Sequence, residues 1–320
     1  MKSEQAMQRQ WWHVRPWLML LCGAALATAL PLSAVSQGSS TWEVVPNWPE
    51  KPAARAAADY SYIDITGVAV GRDGRVYVCH GHPAKAKVVV FAADGTYLSS
   101  WKTDVLREPH TIRTAPDGNL WITDFYTNQV SKWSPEGELL ALYGIRGRGR
   151  RDERHFMGPN DVAFAPNGDV YVAEGDGDRI VHLSADGRYL GSWGQRGRRP
   201  GMVFFPHSIA TDAAGRVYLA DRKNKRVQVF AADGTFLAQW KKVGTPYALF
   251  IDRQQRVYVA DGKKGTIRTF TTSGQLLEKF GRWGRAPGRL QEPHGLCVDE
   301  AGNLYVADGY GKRVQKFVRR

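Results

Sequence analysis

Three histidines share one register of a repeated phrase. His110, His207 and His294 each follow a proline, and each lies eleven residues before an aromatic: Trp121, Tyr218 and Tyr305. Imidazole nitrogens ligate zinc, copper, iron and nickel. A set of three leaves further coordination positions open, the arrangement of catalytic rather than purely structural zinc. The same register in other copies of the phrase gives Thr66, Asn160 after Pro159, and Tyr247 after Pro246. Alternate copies therefore carry the histidine. The other histidines read differently. His80 fills a slot held elsewhere by Asp124, Glu174, Asp221, Asp261 and Asp308. Recurring acids of this kind read as turn-bonding residues that brace a hairpin. His155 sits in an arginine-rich loop, and His182, on a second strand, reads as structural.

The phrase that positions these residues occurs six times. It runs DGRVYV around Tyr77, DGNLWI around Trp121, NGDVYV around Tyr171, AGRVYL around Tyr218, QQRVYV around Tyr258 and AGNLYV around Tyr305. The aromatics are spaced by 44, 50, 47, 40 and 47 residues. A second strand phrase follows each, and a third follows five of the six, as in DGTYLSSW and DGRYLGSWG. These are short alternating strands joined by Gly/Asp turns. A unit of this size holds four strands, the content of one propeller blade. The reading is an all-β, six-bladed β-propeller; a β-sandwich would not need so regular a repeat. The sixth copy lacks its last phrase, and TWEVVPNW (41–48) is expected to supply that outer strand. Such closure removes an open edge.

In a ring of six blades, alternate blades are about 120° apart, so the three imidazoles are expected to converge on the axis. The loops RGRGRRDERHF (146–156), QRGRRPG (195–201) and GRWGRAPGR (281–289) each lead into an innermost strand. They form a basic rim on the histidine face, which raises the local concentration of anions.

Composition sets the outer bounds. The chain has 320 residues, 43% hydrophobic and 23% charged, with a formal net charge of +13. It is too apolar for a disordered chain and long enough to bury a large core. Three cysteines build no disulfide scaffold, and Cys79 and Cys297 read as free buried thiols. Residues 1–36 have the form of a secretory signal peptide: Lys2, Arg9 and Arg15, an apolar run at 17–30, then Ala34 and Ser36. The alternative is an uncleaved anchor, although the run is short for a span. The domains are then 1–36 and a single propeller over 37–320. The protein is expected to be exported, periplasmic or extracellular, and membrane-bound only if residues 17–30 stay attached. It is read as a monomer acting on a small anionic or peptide-like substrate. Export, and the lack of an aromatic series beside the arginines, argue against nucleic acid.

Over residues 41–318 the chain resembles NHL-repeat propellers, and more narrowly their peptidyl-α-hydroxyglycine α-amidating lyase branch. EPHTI (108–112), HFMGPNDVAF (155–164), FPHSIA (205–210), LADRKNKRVQVF (219–230) and EPHGL (292–296) carry the resemblance. It implies that His110, His207 and His294 hold a catalytic zinc and that Arg222 is a catalytic arginine. It implies cleavage of the N–C bond of a C-terminal α-hydroxyglycine to a peptide amide and glyoxylate. Three positions depart from the pattern. CHGHP (79–83) has no arginine, Asp176 stands where the family has its tyrosine, and Gly295 replaces an aspartate that binds a structural calcium. Tyr247 and Tyr310 are the candidates to replace the missing tyrosine. The expected function is a zinc-dependent carbon–nitrogen lyase. The alternative is a non-catalytic NHL propeller that binds a protein, peptide or glycan on its basic face. Ring-opening lyases use similar propellers, but no specific motif for them stands here.

Overall fold

A computed structural model describes residues 42–50, 65–81 and 87–320. The segment 1–36 and part of CHGHP therefore lie outside the described residues. Six four-stranded antiparallel sheets follow one another along the chain. Strand β1 (Trp42–Val44) comes first. Blade 1 is β2 (Ile65–Val70), β3 (Val76–His80), β4 (Lys87–Phe91) and β5 (Tyr97–Lys102). Blade 2 is β6 (Pro109–Thr114), β7 (Leu120–Asp124), β8 (Gln129–Trp133) and β9 (Leu139–Tyr143). Blade 3 is β10 (Pro159–Phe164), β11 (Val170–Glu174), β12 (Arg179–Leu183) and β13 (Tyr189–Trp193). Blade 4 is β14 (Pro206–Thr211), β15 (Val217–Asp221), β16 (Arg226–Phe230) and β17 (Phe236–Trp240). Blade 5 is β18 (Pro246–Ile251), β19 (Val257–Asp261), β20 (Thr266–Phe270) and β21 (Leu276–Phe280). Blade 6 is β22 (Pro293–Val298), β23 (Leu304–Asp308) and β24 (Arg313–Arg319), with β1 beside β24. The chain is thus a six-bladed all-β propeller.

The N-terminal strand closes the ring. Trp42 pairs with Arg319 and Val44 with Phe317. Just beyond β1, Trp48 packs its ring against Phe91 of blade 1 and Tyr305 of blade 6. Hydrogen bonds at the outer edge and an indole in the seam hold the two ends together.

The expected alternation fits only the outer strands, such as β13. Each second strand, β3 through β23, is buried along its whole length. The reason is geometric. A blade is covered by a neighbour on each side, so VYVAD-type runs meet apolar partners on both faces. The anchor tyrosines of these runs need a partner for a buried hydroxyl. Four find it in the preceding turn: Tyr218 donates to Asp212 at 2.8 Å, and Tyr77, Tyr258 and Tyr305 donate to Asp73, Asp252 and Asp299 at 3.1 Å, whereas Tyr171 donates to the carbonyl of Ala232 in the next blade. The repeated aspartate and the repeated tyrosine are therefore one device.

The recurring acids at the ends of the second strands reach further than a hairpin brace. Asp308 accepts the backbone N–H groups of Gln291 and Glu292, and Asp124 accepts that of Glu108. Asp221 accepts Phe204 N–H and pairs with Arg226 at 2.7 Å. Each of these acids clamps the loop that delivers its own blade's innermost strand to the axis.

Candidate metal centre

The register counted from the sequence is a β-bulge in the structure. In every blade the pairing of the innermost with the second strand skips one residue: His110, His207 and His294, and likewise Thr66, Asn160 and Tyr247. A bulged residue is freed from the ladder and re-aimed. In five blades a proline precedes it, at a strand start where no N–H is required. Six side chains are thereby turned toward one end of the channel.

The three imidazoles meet there. Their ring centroids lie 4.8, 4.7 and 4.8 Å apart, and one nitrogen from each falls within 4.8 Å of the others. Each ring is oriented from the next blade. His110 Nδ1 bonds the carbonyl of Asn160 at 2.7 Å, His207 Nδ1 that of Tyr247 at 2.6 Å, and His294 Nδ1 that of Thr66 at 2.8 Å. A carbonyl only accepts, so each Nδ1 carries the proton and each Nε2 presents a lone pair. Burial and mutual repulsion hold His110 and His207 well below the usual imidazole range, and burial lowers His294 to about 4. Three neutral nitrogen donors with no carboxylate among them form a set that fits a borderline-soft divalent ion such as zinc.

The odd blades contribute side chains as well as carbonyls. Thr66 Oγ1 donates to the carbonyl of Pro109 at 2.7 Å, and Asn160 Nδ2 to that of Pro206 at 2.9 Å. Tyr247 does something different. Its ring lies 5.0 Å from that of His207 and 6.0 Å from that of His294, and its hydroxyl accepts Arg222 Nη2 at 2.7 Å. Arg222 begins the 3-10 turn after β15. Its guanidinium stacks 4.0 Å from the Tyr247 ring centroid and 5.4 Å from that of Phe205. Stacking fixes the plane of the fork. Arg222 and Tyr247 thus join the histidines. Tyr310 does not stand with them: it is 68% exposed in the turn after β23.

Glu292 was missed by the register argument. It precedes the Pro293–His294 pair, and the Tyr247 hydroxyl is among the groups that face its carboxylate. Burial raises this carboxyl, against the opposing pull of Arg222 and Lys263. The usable signal was the shared EPH of blades 2 and 6, Glu108 and Glu292. Gly295 explains one departure from the family pattern. A Cβ there would stand 2.8 Å from the Thr66 carbonyl and 3.0 Å from Gly67 Cα, so no aspartate fits between the blades.

Below the histidines the channel is stopped. Arg113 from β6 pairs with Asp161 from β10 at 2.6 and 2.9 Å. It also donates to Ser208 and to the carbonyls of Leu249 and Leu296. The space between this layer and the imidazoles is about 10 Å³, at the limit of a single water. On the other side the channel widens into a cavity of about 450 Å³ lined by Val68, Val162, Ile209 and Leu249.

The NHL repeat family matches residues 205–230 and 290–317. Two of its blades are NHL repeats. These NHL blades, the fourth and sixth, are those that present His207 and His294. Over 79 residues the chain is 35% identical to peptidylglycine alpha-amidating monooxygenase of Rattus norvegicus. That stretch is 24% of this chain and 8% of the rat protein. The Mus musculus peptidyl-glycine alpha-amidating monooxygenase is 43% identical over 58 residues, 17% of this chain and 6% of its own length. The propeller also superposes on a streptogramin B lyase structure with a TM-score of 0.56 and 16% identity, covering 80% of this chain and 94% of the other. That likeness is one of fold.

Proposed function

We propose that this propeller is a metal-dependent carbon–nitrogen lyase, with His110, His207 and His294 holding zinc and a carboxylate-bearing, peptide-like substrate beside them. One observation carries the reading: three imidazoles, that of His207 buried and those of His110 and His294 partly so, each with Nδ1 tied to a neighbouring blade, bring one nitrogen apiece within 4.8 Å of the others. The short stretches shared with the amidating enzymes agree with it.

Cleavage of an α-hydroxyglycine amide is redox-neutral. The hydroxyl loses its proton, its electrons form the aldehyde C=O, the C–N bond breaks, and the amide nitrogen takes up a proton. A zinc ion held by His110, His207 and His294 would supply Lewis acidity toward the substrate's oxygen atoms. Arg222, its plane fixed between Phe205 and Tyr247, offers paired N–H groups to the terminal carboxylate. Tyr247 lies between Arg222 and Glu292 and is the group able to pass the hydroxyl proton on. In this role it takes the place of the tyrosine that Asp176 replaces.

The test begins with metal content of the purified protein, with and without His207→Ala. Stoichiometric zinc in the wild type and none in the variant is expected; a metal-free wild type overturns the site. Incubation with a peptidyl-α-hydroxyglycine then reads the chemistry. Glyoxylate release no faster than in the triple histidine variant overturns the lyase assignment.

A further inference from the structure

The two ends of the propeller differ in charge. The turns away from the histidines carry acids, among them Asp73, Asp117, Asp169, Asp186 and Asp233. The histidine end carries the three arginine-rich loops, and its short turns add Lys223, Lys225, Lys263, Lys264 and Lys312. An uneven distribution of this kind orients and attracts an anion toward one mouth of the ring.

Within the positive end lies a built cleft. Arg198, Lys223, Lys225 and Lys241 line a depression of about 470 Å³ at the edge of blade 4. The cleft's other cation, Arg226, is spent on Asp221. Among the described residues the first four have no carboxylate partner. Phe205 stands between the cleft and the histidines. Lys223 Nζ lies 5.8 Å from the Phe205 ring centroid, and that ring lies 6.3 Å from His207. Arg222, the group assigned to the terminal carboxylate, is the neighbour of Lys223 in the chain.

We infer that the substrate is a peptide with acidic side chains upstream of its reacting end, laid along Arg198, Lys223, Lys225 and Lys241. This rests on the lyase reading for the position of that end. A chain held at Arg222 that leaves over Phe205 and runs outward along blade 4 meets these cations. They lie within about one Debye length of any charge in the cleft, so the attraction survives physiological salt in part and fails in high salt.

The test is fluorescence anisotropy with a labelled acidic hexapeptide and its Gln/Asn counterpart, free of any reactive terminus. The acidic peptide is expected to bind about tenfold more tightly at low salt, with the difference gone at about 1 M NaCl. Lys225→Glu with Lys241→Glu should abolish the preference, while Arg188→Glu on the opposite end leaves it intact. Both sites are exposed, where charge reversal is tolerated. Equal binding of the two peptides, or a preference that survives the double variant, overturns the proposal. So does tight binding of a sulfated oligosaccharide with none of the peptide. Glyoxylate release is read separately from α-hydroxyglycine versions of both. Acidic preference in binding without glyoxylate keeps the cleft and removes the lyase reading. Glyoxylate from both at equal kcat/KM keeps the lyase reading and removes the cleft.

Discussion

His207 Nδ1 lies 2.6 Å from the carbonyl oxygen of Tyr247, its counterpart in the next blade. The same bond joins His110 to Asn160 and His294 to Thr66. Even blades thus supply the imidazoles, and odd blades set their direction. A metal held there would owe part of its affinity to residues that do not touch it.

Asn160 tests that dependence. Its side chain holds the Pro206 carbonyl next to His207. Asn160→Ala is expected to keep the fold and weaken zinc binding by about 10–100-fold, the usual effect of losing an outer support. Competition with a chromogenic chelator measures it. An unchanged affinity would show that the bulge alone fixes His207.

Arg222 is assigned a fork, not merely a charge. Arg222→Lys keeps the cation but loses the planar pair of donors and the stacking on Tyr247. The loss of about 3 kcal/mol from charge-assisted bonds corresponds to about 100-fold in kcat/KM. Steady-state kinetics with a carboxylate substrate and its methyl ester separate the cases. The variant should lose its preference for the acid.

Metal-free protein should weaken in mild acid. His294 is lowered from 6.5 to about 4, and His110 and His207 shift the same way. Above about pH 6.5 these rings are neutral folded or unfolded, and contribute nothing to the pH dependence. Between there and pH 4 the unfolded chain binds protons that the folded site refuses. Stability falls as pH falls, by about 3 kcal/mol for His294 when complete. Urea midpoints from pH 7.5 to 4.5, with and without a chelator, should converge for the triple His→Ala variant.

The Arg113–Asp161 pair lies at the meeting point of the blades. Asp161→Ala leaves a buried guanidinium without its counter-charge, which typically costs about 3–5 kcal/mol. Arg113→Met with Asp161→Leu should cost less than Asp161→Ala alone. Equilibrium unfolding in urea gives both numbers, and a larger loss for the double variant would contradict this account.

Much of this was legible in the sequence because a propeller repeats its register. The eleven-residue count found His110, His207 and His294, and the same count named Asn160, Tyr247 and Thr66 as their counterparts. The closure by residues 41–48 was readable from a missing phrase. The reason the register works, a bulge in every blade, was not readable, since a skipped ladder partner leaves no mark on residue type. Full burial of the second strands was hidden because alternation reports one covered face, while a blade has two. Glu292 and the Arg113–Asp161 layer escaped because each is defined by partners in other blades. Tyr310 was placed by analogy of turn position, but nothing in that turn draws it toward the axis.

The ion-paired layer beneath the histidines has a kinetic consequence. With so little space above Arg113 and a closed network across it, nothing larger than water passes through the ring. The histidine mouth is a cul-de-sac. On the lyase reading, what enters beside Arg222 leaves by the same mouth, and two products formed together depart in sequence, the one at the floor last.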